Sequence, residues 1–134
     1  MPTQILTLDP KTLEYRDQQK VRYDSLGMAR NIDDVAERIC TTSEWRALAG
    51  LSSDERRRRA ALTFSAKECV HKAWAPISGV TLPFDAVEIE LLSASRFRVH
   101  PLDPRLAAWP STCWSGWYGI ADGTVGTLLQ LTAE

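Results

Sequence analysis

Two lysines and a glutamate interrupt an apolar, helix-prone segment, TFSAKECVHKAW at residues 63–74: Lys67, Glu68 and Lys72. A carboxylate offers hard oxygen ligands to Mg²⁺, and a lysine one helical turn away offers a cation to a phosphate group. At about 100° per residue, Glu68 and Lys72 share one helical face. Taken alone, the spacing identifies no chemistry, because its plainest interpretation is an exposed Glu–Lys pair that stabilises a helix by about 0.3 kcal/mol.

A single long helix must position these charges. Ser52 and Glu55 have the spacing of a capping box, and no helix breaker follows before Pro76. The sequence therefore predicts a helix from about Ser53 to Trp74. Its charged face also carries Ala61 and Ser65, and its opposite side carries Leu62, Ala66, Cys69, Val70 and Ala73.

Extended segments flank this helix. Residues 4–26 predict two or three short strands with a turn at Asp9-Pro10, and residues 31–41 and 43–50 predict two short helices. Four β-rich segments follow Pro76, with a hairpin turn at Ala121-Asp122-Gly123. We expect an α+β fold, in which residues 1–134 form one lobe with a long helix packed on a mostly antiparallel sheet.

Composition restricts the classes of partner. The chain has 134 residues, of which 44% are hydrophobic and five are tryptophan, and this suffices for one ordinary core. A net charge of −1 gives no overall attraction to nucleic acid or to an anionic membrane. The N-terminal residues lack the pattern of a secretion signal, so we expect a cytoplasmic protein. The three cysteines are widely spread and predict reduced thiols.

The charged helix carries a family resemblance. The string Phe-Ser-Ala-Lys-Glu-Cys-Val-His-Lys at residues 64–72 strongly resembles the signature of the 4′-phosphopantetheinyl transferases, (W/F)-(S/C/A)-x-Lys-Glu-(A/S)-x-x-Lys. The resemblance extends from about Val21 to the C-terminus, and the helix string is its most specific part. It implies transfer of the phosphopantetheine arm of coenzyme A to a serine of an acyl or peptidyl carrier protein, with Mg²⁺ as cofactor.

Spacing supports the same family. Asp24, Glu44 and Glu68 follow one another at twenty and twenty-four positions, as in the class built from two similar halves. The resemblance implies Asp24 and Glu68 as metal ligands. Arg22 replaces the usual glycine two positions before the aspartate, and Leu26 replaces an acidic residue two positions after it. An alternative register places Gly27-Met28-Ala29 on Gly-x-Asp, but it breaks the spacing.

The resemblance also implies roles for basic residues. Lys72 would contact a phosphate of coenzyme A, and Lys67 would lie at the edge of the substrate or in solvent. Arg59 belongs to a run of four arginines, residues 56–59, which are either a solvated helix face or contacts for coenzyme A or an acidic carrier. The base that deprotonates the serine is Glu68, a water on the metal, or His71.

Residues for only one of the two similar lobes are present. We therefore expect a homo-oligomer, or pairing with a second lobe, with the site at the junction. A non-catalytic relative that binds a carrier protein is the alternative, because Arg22 and Leu26 depart from the family pattern. The plainest alternative is an α+β protein whose charged helix face does no chemistry.

Overall fold

The computed structural model describes residues 4–5, 14–22, 32–79, 81–93, 95–121 and 123–132. Three α-helices precede the last four strands, and the bounds are as follows: β1 (Gln4–Ile5), β2 (Glu14–Arg22), α1 (Ile32–Ile39), α2 (Thr42–Leu48), α3 (Ser53–Ser78), β3 (Val87–Leu91), β4 (Arg96–Pro101), β5 (Trp114–Ala121) and β6 (Thr124–Thr132). Short 3₁₀ turns occur at Phe84–Ala86, Pro104–Leu106 and Ser111–Cys113. None of the described helices has the apolar length that a membrane crossing needs.

All strand pairs are antiparallel, and the strands form one sheet in the order β1-β2-β6-β5-β4-β3. The prediction of an α+β fold, with a long helix packed on an antiparallel sheet, is confirmed. β2 is longer than expected, because it pairs with β6 without interruption from Glu14↔Thr132 to Arg22↔Thr124. Its polar sequence lacks the alternation that would have predicted one continuous strand. The expected turn at Asp9-Pro10 lies outside the described residues.

Helix α3 begins as predicted and ends later. The Ser52 hydroxyl accepts a hydrogen bond from the Glu55 N–H at 3.2 Å, which caps the first turn. The predicted end at Trp74 is wrong, because the helix continues through Pro76 to Ser78. Gly79 then ends it in the left-handed conformation at φ +70°, where its N–H bonds to the Ala75 carbonyl. The positive φ is the reason that glycine suits this position.

The middle of α3 is buried around most of its circumference. Its apolar side packs on the sheet as expected, with Cys69, Val70 and Ala73 fully buried beside Leu129 and Leu131 of β6. Ala61 and Ser65 were expected on the charged face, but both are fully buried. The Ser65 hydroxyl shares a hydrogen bond of 2.6 Å with the Thr127 hydroxyl of β6, so this polar side chain joins helix to sheet.

The tryptophans divide between core and surface. Trp74 and Trp114 are buried, Trp109 and Trp117 are partly buried, and Trp45 is 45% exposed. The cysteines are free thiols, as predicted. The β5–β6 hairpin is confirmed by the pair Ala121↔Thr124 and by Gly123 at φ +71°, although Asp122 lies outside the described residues.

Two glycines of β5 provide a matched test of packing between the strands and the core. A Cβ atom at Gly116 would lie 2.4 Å from the buried Phe97 ring, whereas a Cβ at Gly119 would meet nothing within 4 Å. We expect Gly116→Ala to lower the free energy of unfolding by about 1–3 kcal/mol, because the ring must shift within a filled core. Gly119→Ala should change it by less than about 0.5 kcal/mol. Urea denaturation measures both, and equal effects would contradict this packing.

Candidate functional site

Glu68 and Lys72 lie one turn apart on α3, where they interact electrostatically. Lys72 is exposed and Glu68 is half-buried. Burial raises the pKa of the Glu68 carboxyl, and the nearby Lys72 ammonium opposes that rise. The pair thus combines a partly desolvated carboxylate with a solvent-facing cation. This is a combination that can hold a divalent ion and an anionic phosphate side by side.

Lys67 lies in the interior and not in solvent, so its expected position at the substrate edge is wrong. Its side chain is 0% exposed. Its ammonium donates to the carbonyl oxygens of Ile39 at 2.6 Å and Phe84 at 2.8 Å, and it pairs with a carboxylate oxygen of Glu44 at 2.7 Å. These partners satisfy a charge that burial would otherwise make very unfavourable. The expectation was wrong because Lys67 precedes Glu68 by one residue. Its side chain therefore points about 100° away from the Glu68 face, and this direction leads into the interior.

Glu44 is the other half of this buried ion pair and joins several elements. Its Oε1 accepts the backbone N–H of Thr41 at 2.8 Å, while the Thr41 hydroxyl accepts the N–H of Glu44, which makes a capping box at the start of α2. Its Oε2 accepts the N–H of Ile89 in β3 at 2.6 Å. Sequence reasoning missed this role. The Thr-x-x-Glu spacing at residues 41–44 is the signal that would have revealed the cap.

The Lys67 ion pair fixes how α3 is turned about its own axis. Lys67 must face α1, α2 and the 3₁₀ turn at Phe84–Ala86 in order to reach its three partners. Glu68 follows at about 100° around the helix, and Lys72 stands one turn further along. The buried ammonium therefore determines the direction in which the carboxylate and the exposed lysine point.

His71 stands next to this pair and packs against the segment before β3. Its ring centroid lies 4.6 Å from that of Phe84, and the imidazole forms a hydrogen bond to the Pro83 backbone. Burial, aided by Lys67, lowers the pKa of His71, although the bond to Pro83 opposes this. The ring is thus neutral near pH 7. Its Nε2 atom is buried and has no hydrogen-bond partner among the residues that the structure describes.

The second predicted metal ligand cannot be placed. β2 ends at Arg22, and Asp24, Leu26 and the alternative register at Gly27 lie outside the described residues. Within the described part of the chain, no three His, Cys, Asp or Glu side chains cluster as a metal site. Glu68 fits a divalent ion as one hard oxygen donor of such a site. The convergence of Asp24 and Glu68 stays a prediction.

Arg59 is not brought to Glu68. Nine residues separate them on α3, which corresponds to opposite faces and to about 13 Å along the axis. Arg59 instead lines a cleft of about 190 Å³ together with Arg58 and Leu62 of α3 and Ile120 of β5. The predicted site residues thus divide into an adjacent pair, Glu68 and Lys72, and two residues that lie elsewhere, Lys67 and Arg59.

Comparison with known families gives one match. The family model of the 4′-phosphopantetheinyl transferase superfamily matches residues 17–127, which is more than half of the chain. The matched segment contains most of β2, the three helices and most of the sheet, and it includes the Glu68–Lys72 pair and the Lys67–Glu44 ion pair. No curated protein matches the chain.

The two lysines should differ strongly in their effect on stability when each is changed to methionine. Lys67→Met should lower the free energy of unfolding by about 3–5 kcal/mol, because it leaves Glu44 buried without its cation. Lys72→Met should lower it by less than about 0.5 kcal/mol, because this lysine is exposed. Urea denaturation of both variants measures the difference. Similar losses would show that Lys67 is not a buried structural cation.

Glu68 should cost stability at neutral pH. Its pKa in the folded state is raised, so the folded protein holds a proton more strongly than the unfolded chain does, and stability falls as pH rises from the ordinary value of 4.5 through the raised pKa. Glu68→Gln should therefore be more stable than the wild type at pH 7, with the gain lost near pH 4. Thermal unfolding across this range is the measurement. A gain that does not depend on pH would contradict the desolvation of this carboxylate.

Proposed function

Because this chain belongs to the 4′-phosphopantetheinyl transferase superfamily, we propose that it transfers the 4′-phosphopantetheine arm of coenzyme A to a serine of an acyl or peptidyl carrier protein, with Mg²⁺ as cofactor. The observation that carries the proposal is the anchored helix. Within the segment that the family model matches, the buried Lys67 holds α3 in one orientation, and Glu68 and Lys72 project together from it.

Two carboxylates would hold the divalent ion, Glu68 of α3 and Asp24 after β2. When bound, Mg²⁺ offsets the negative charge of the diphosphate and so lets an oxygen nucleophile approach. Glu68 would contribute an oxygen that burial has already partly stripped of water. Lys72 would contact a phosphate oxygen and stabilise the charge that develops on the leaving group.

The reaction forms a bond between the serine oxygen and the phosphorus atom that carries the pantetheine arm. The bond from that phosphorus to the bridging oxygen breaks, and adenosine 3′,5′-bisphosphate leaves. The serine proton goes to a base, and Glu68 is the base that we favour because its carboxylate is only half-buried and lies one helical turn from Lys72. His71 is neutral, but its Nε2 is buried and does not face solvent.

Neither Lys67 nor Arg59 has a geometry that supports contact with coenzyme A. The Lys67 ammonium already has three protein partners, and we assign it to positioning α3. Arg59 lies on the helix face opposite Glu68. Of the three basic residues that the sequence predicted as coenzyme contacts, we therefore assign the phosphate contact to Lys72.

We further propose that the helix and sheet described above form one lobe of the site. Lys72 lies in solvent on the same helix face as Glu68, so this face is open. In this family's two-halved class, a similar lobe covers the coenzyme. A second copy of the chain or another lobe would complete it. Light scattering at assay concentration gives the assembly state, and an active monomer would contradict this part.

The second candidate is a relative that binds a carrier protein without modifying it. Arg22 and Leu26 favour this alternative, because they stand where the family pattern has a glycine and a second acidic residue. If the chain is an active transferase, its divalent ion must be held with one carboxylate fewer than the family pattern supplies. The two candidates differ in whether the carrier gains mass.

A mass measurement tests the proposal. Apo acyl carrier protein incubated with the protein, coenzyme A and Mg²⁺ should gain the mass of one phosphopantetheine, and a chelator should prevent the gain. Glu68→Gln should lower the rate at least about 100-fold while the protein remains folded. Lys72→Met should lower it by at least about tenfold.

Glu37→Gln is the matched control, because it neutralises an exposed glutamate of α1 and should keep the wild-type rate. Carrier binding without a gain in mass would support the non-catalytic alternative. If a peptidyl carrier and an acyl carrier both fail to bind or gain mass, neither candidate stands.

A further inference from the structure

A cleft lies near the N-terminal end of α3, on the side away from Glu68. It is formed between the first turns of the helix and the ends of β3 and β5. Its lining residues include Arg58, Arg59, Leu62, Leu91 and Ile120. The proposed transfer reaction uses none of them, so the site needs an explanation of its own.

The floor and walls of this cleft are apolar. Leu62 is buried at the base, and Leu91 and Tyr118 pack against the small cluster that Leu62 forms with Val125. Ile120 lies on the same face of β5 as Trp114 and Gly116, which are buried on the α3 side of the sheet. Ile120 itself is 40% exposed. A large aliphatic side chain at the mouth of a cleft is the arrangement of an apolar contact surface.

The rim is positively charged. Arg58 and Arg59 stand on it with one acidic residue, Glu55, so cations outnumber anions. The neighbouring Arg57 pairs with Asp54 and does not line the cleft. Arginine beside apolar and tyrosine side chains is the composition that dominates binding energy at protein interfaces. Charge complementarity therefore calls for a partner that carries carboxylates.

The adjacent backbone of β5 is open on one side. β4 pairs with β5 only at Arg96↔Trp117 and Phe97↔Gly116, and the Tyr118 N–H bonds to the Ser95 carbonyl at 2.9 Å. Ile120 lies two residues beyond Tyr118, so its N–H and C=O point to the same side. No strand of the described structure pairs with residues 119–121 on that side, and all three are exposed.

We propose that this cleft binds an extended acidic segment of a partner protein. The segment adds to the open end of β5, inserts one bulky apolar side chain between Leu62, Leu91 and Ile120, and sets its carboxylates against Arg59. The volume of about 190 Å³ supports a single side-chain anchor. It falls below the roughly 300 Å³ of the smallest pockets that hold drug-sized ligands. The inference does not depend on the transferase function.

An NMR titration tests this proposal with a defined probe. The ¹⁵N-labelled protein is titrated with a synthetic peptide of sequence DDFDD, and with the peptides DDADD and KKFKK for comparison. We expect DDFDD to shift the amide signals of Gly119, Ile120, Ala121 and Leu91, with affinity that falls as salt is added. The two comparison peptides should each bind at least about fivefold more weakly.

Variants sharpen the result. Arg59→Glu and Ile120→Ser should each weaken DDFDD by at least about fivefold, and dispersed spectra show that both variants are folded. Arg38→Glu is the matched control, because it makes the same charge change on an exposed residue of α1 and should leave the affinity unchanged.

Several results would overturn the proposal. The cleft is not an acidic-peptide site if DDFDD causes no shifts at millimolar concentration, or if Arg38→Glu weakens binding as much as Arg59→Glu does. If coenzyme A alone shifts the same amides and Arg59→Glu weakens that binding, the arginines serve the coenzyme. Shifts that grow with protein concentration alone would assign the cleft to a second copy of the chain. A failed carrier-modification assay, in contrast, leaves this prediction intact.

Discussion

The buried ion pair between Lys67 and Glu44 is the interaction on which the rest of this structure depends. A charged ammonium without exposure to solvent is stable only if its partners are placed accurately, and here they come from the end of α1, the start of α2 and the 3₁₀ turn before β3. Glu44 extends the network to the Ile89 N–H of the edge strand β3. One side chain of α3 thus determines where three other segments lie and how the helix is rotated.

This constraint explains why two neighbouring residues of opposite charge have such different surroundings. Lys67 turns inward and stabilises the fold, while Glu68 and Lys72 face outward and share an electrostatic interaction. Sheet and helix are further joined by the Ser65–Thr127 hydrogen bond, one turn before Glu68. The partly desolvated carboxylate therefore stands on a rigid support, which is what the metal-binding role that we propose for it would require. The raised pKa of Glu68 reflects the free energy that is lost when its carboxylate is partly removed from water.

The sequence was most informative where local patterns act alone. Side-chain chemistry within a few residues was enough to predict the Ser52 cap, the β5–β6 hairpin and the β-rich carboxyl half. Contacts between distant parts of the chain could not be predicted from local patterns. Helical periodicity, for example, does not show that Lys67 and Ser65 bind partners distant in the sequence. The end of α3 was misjudged because Pro76 is tolerated in the last turns of the helix, before Gly79 stops it. The charged string identified the family, whereas the three-dimensional roles of its lysines required the structure.

The central claim is that Glu68 and Asp24 hold one divalent ion against the diphosphate of coenzyme A. Calorimetric titration of coenzyme A with and without Mg²⁺ tests it most directly, in the wild type, in Glu68→Gln and in Asp24→Asn. The account predicts that Mg²⁺ tightens binding to the wild type by at least about tenfold and has little effect on either variant. An equal gain in all three proteins would contradict it.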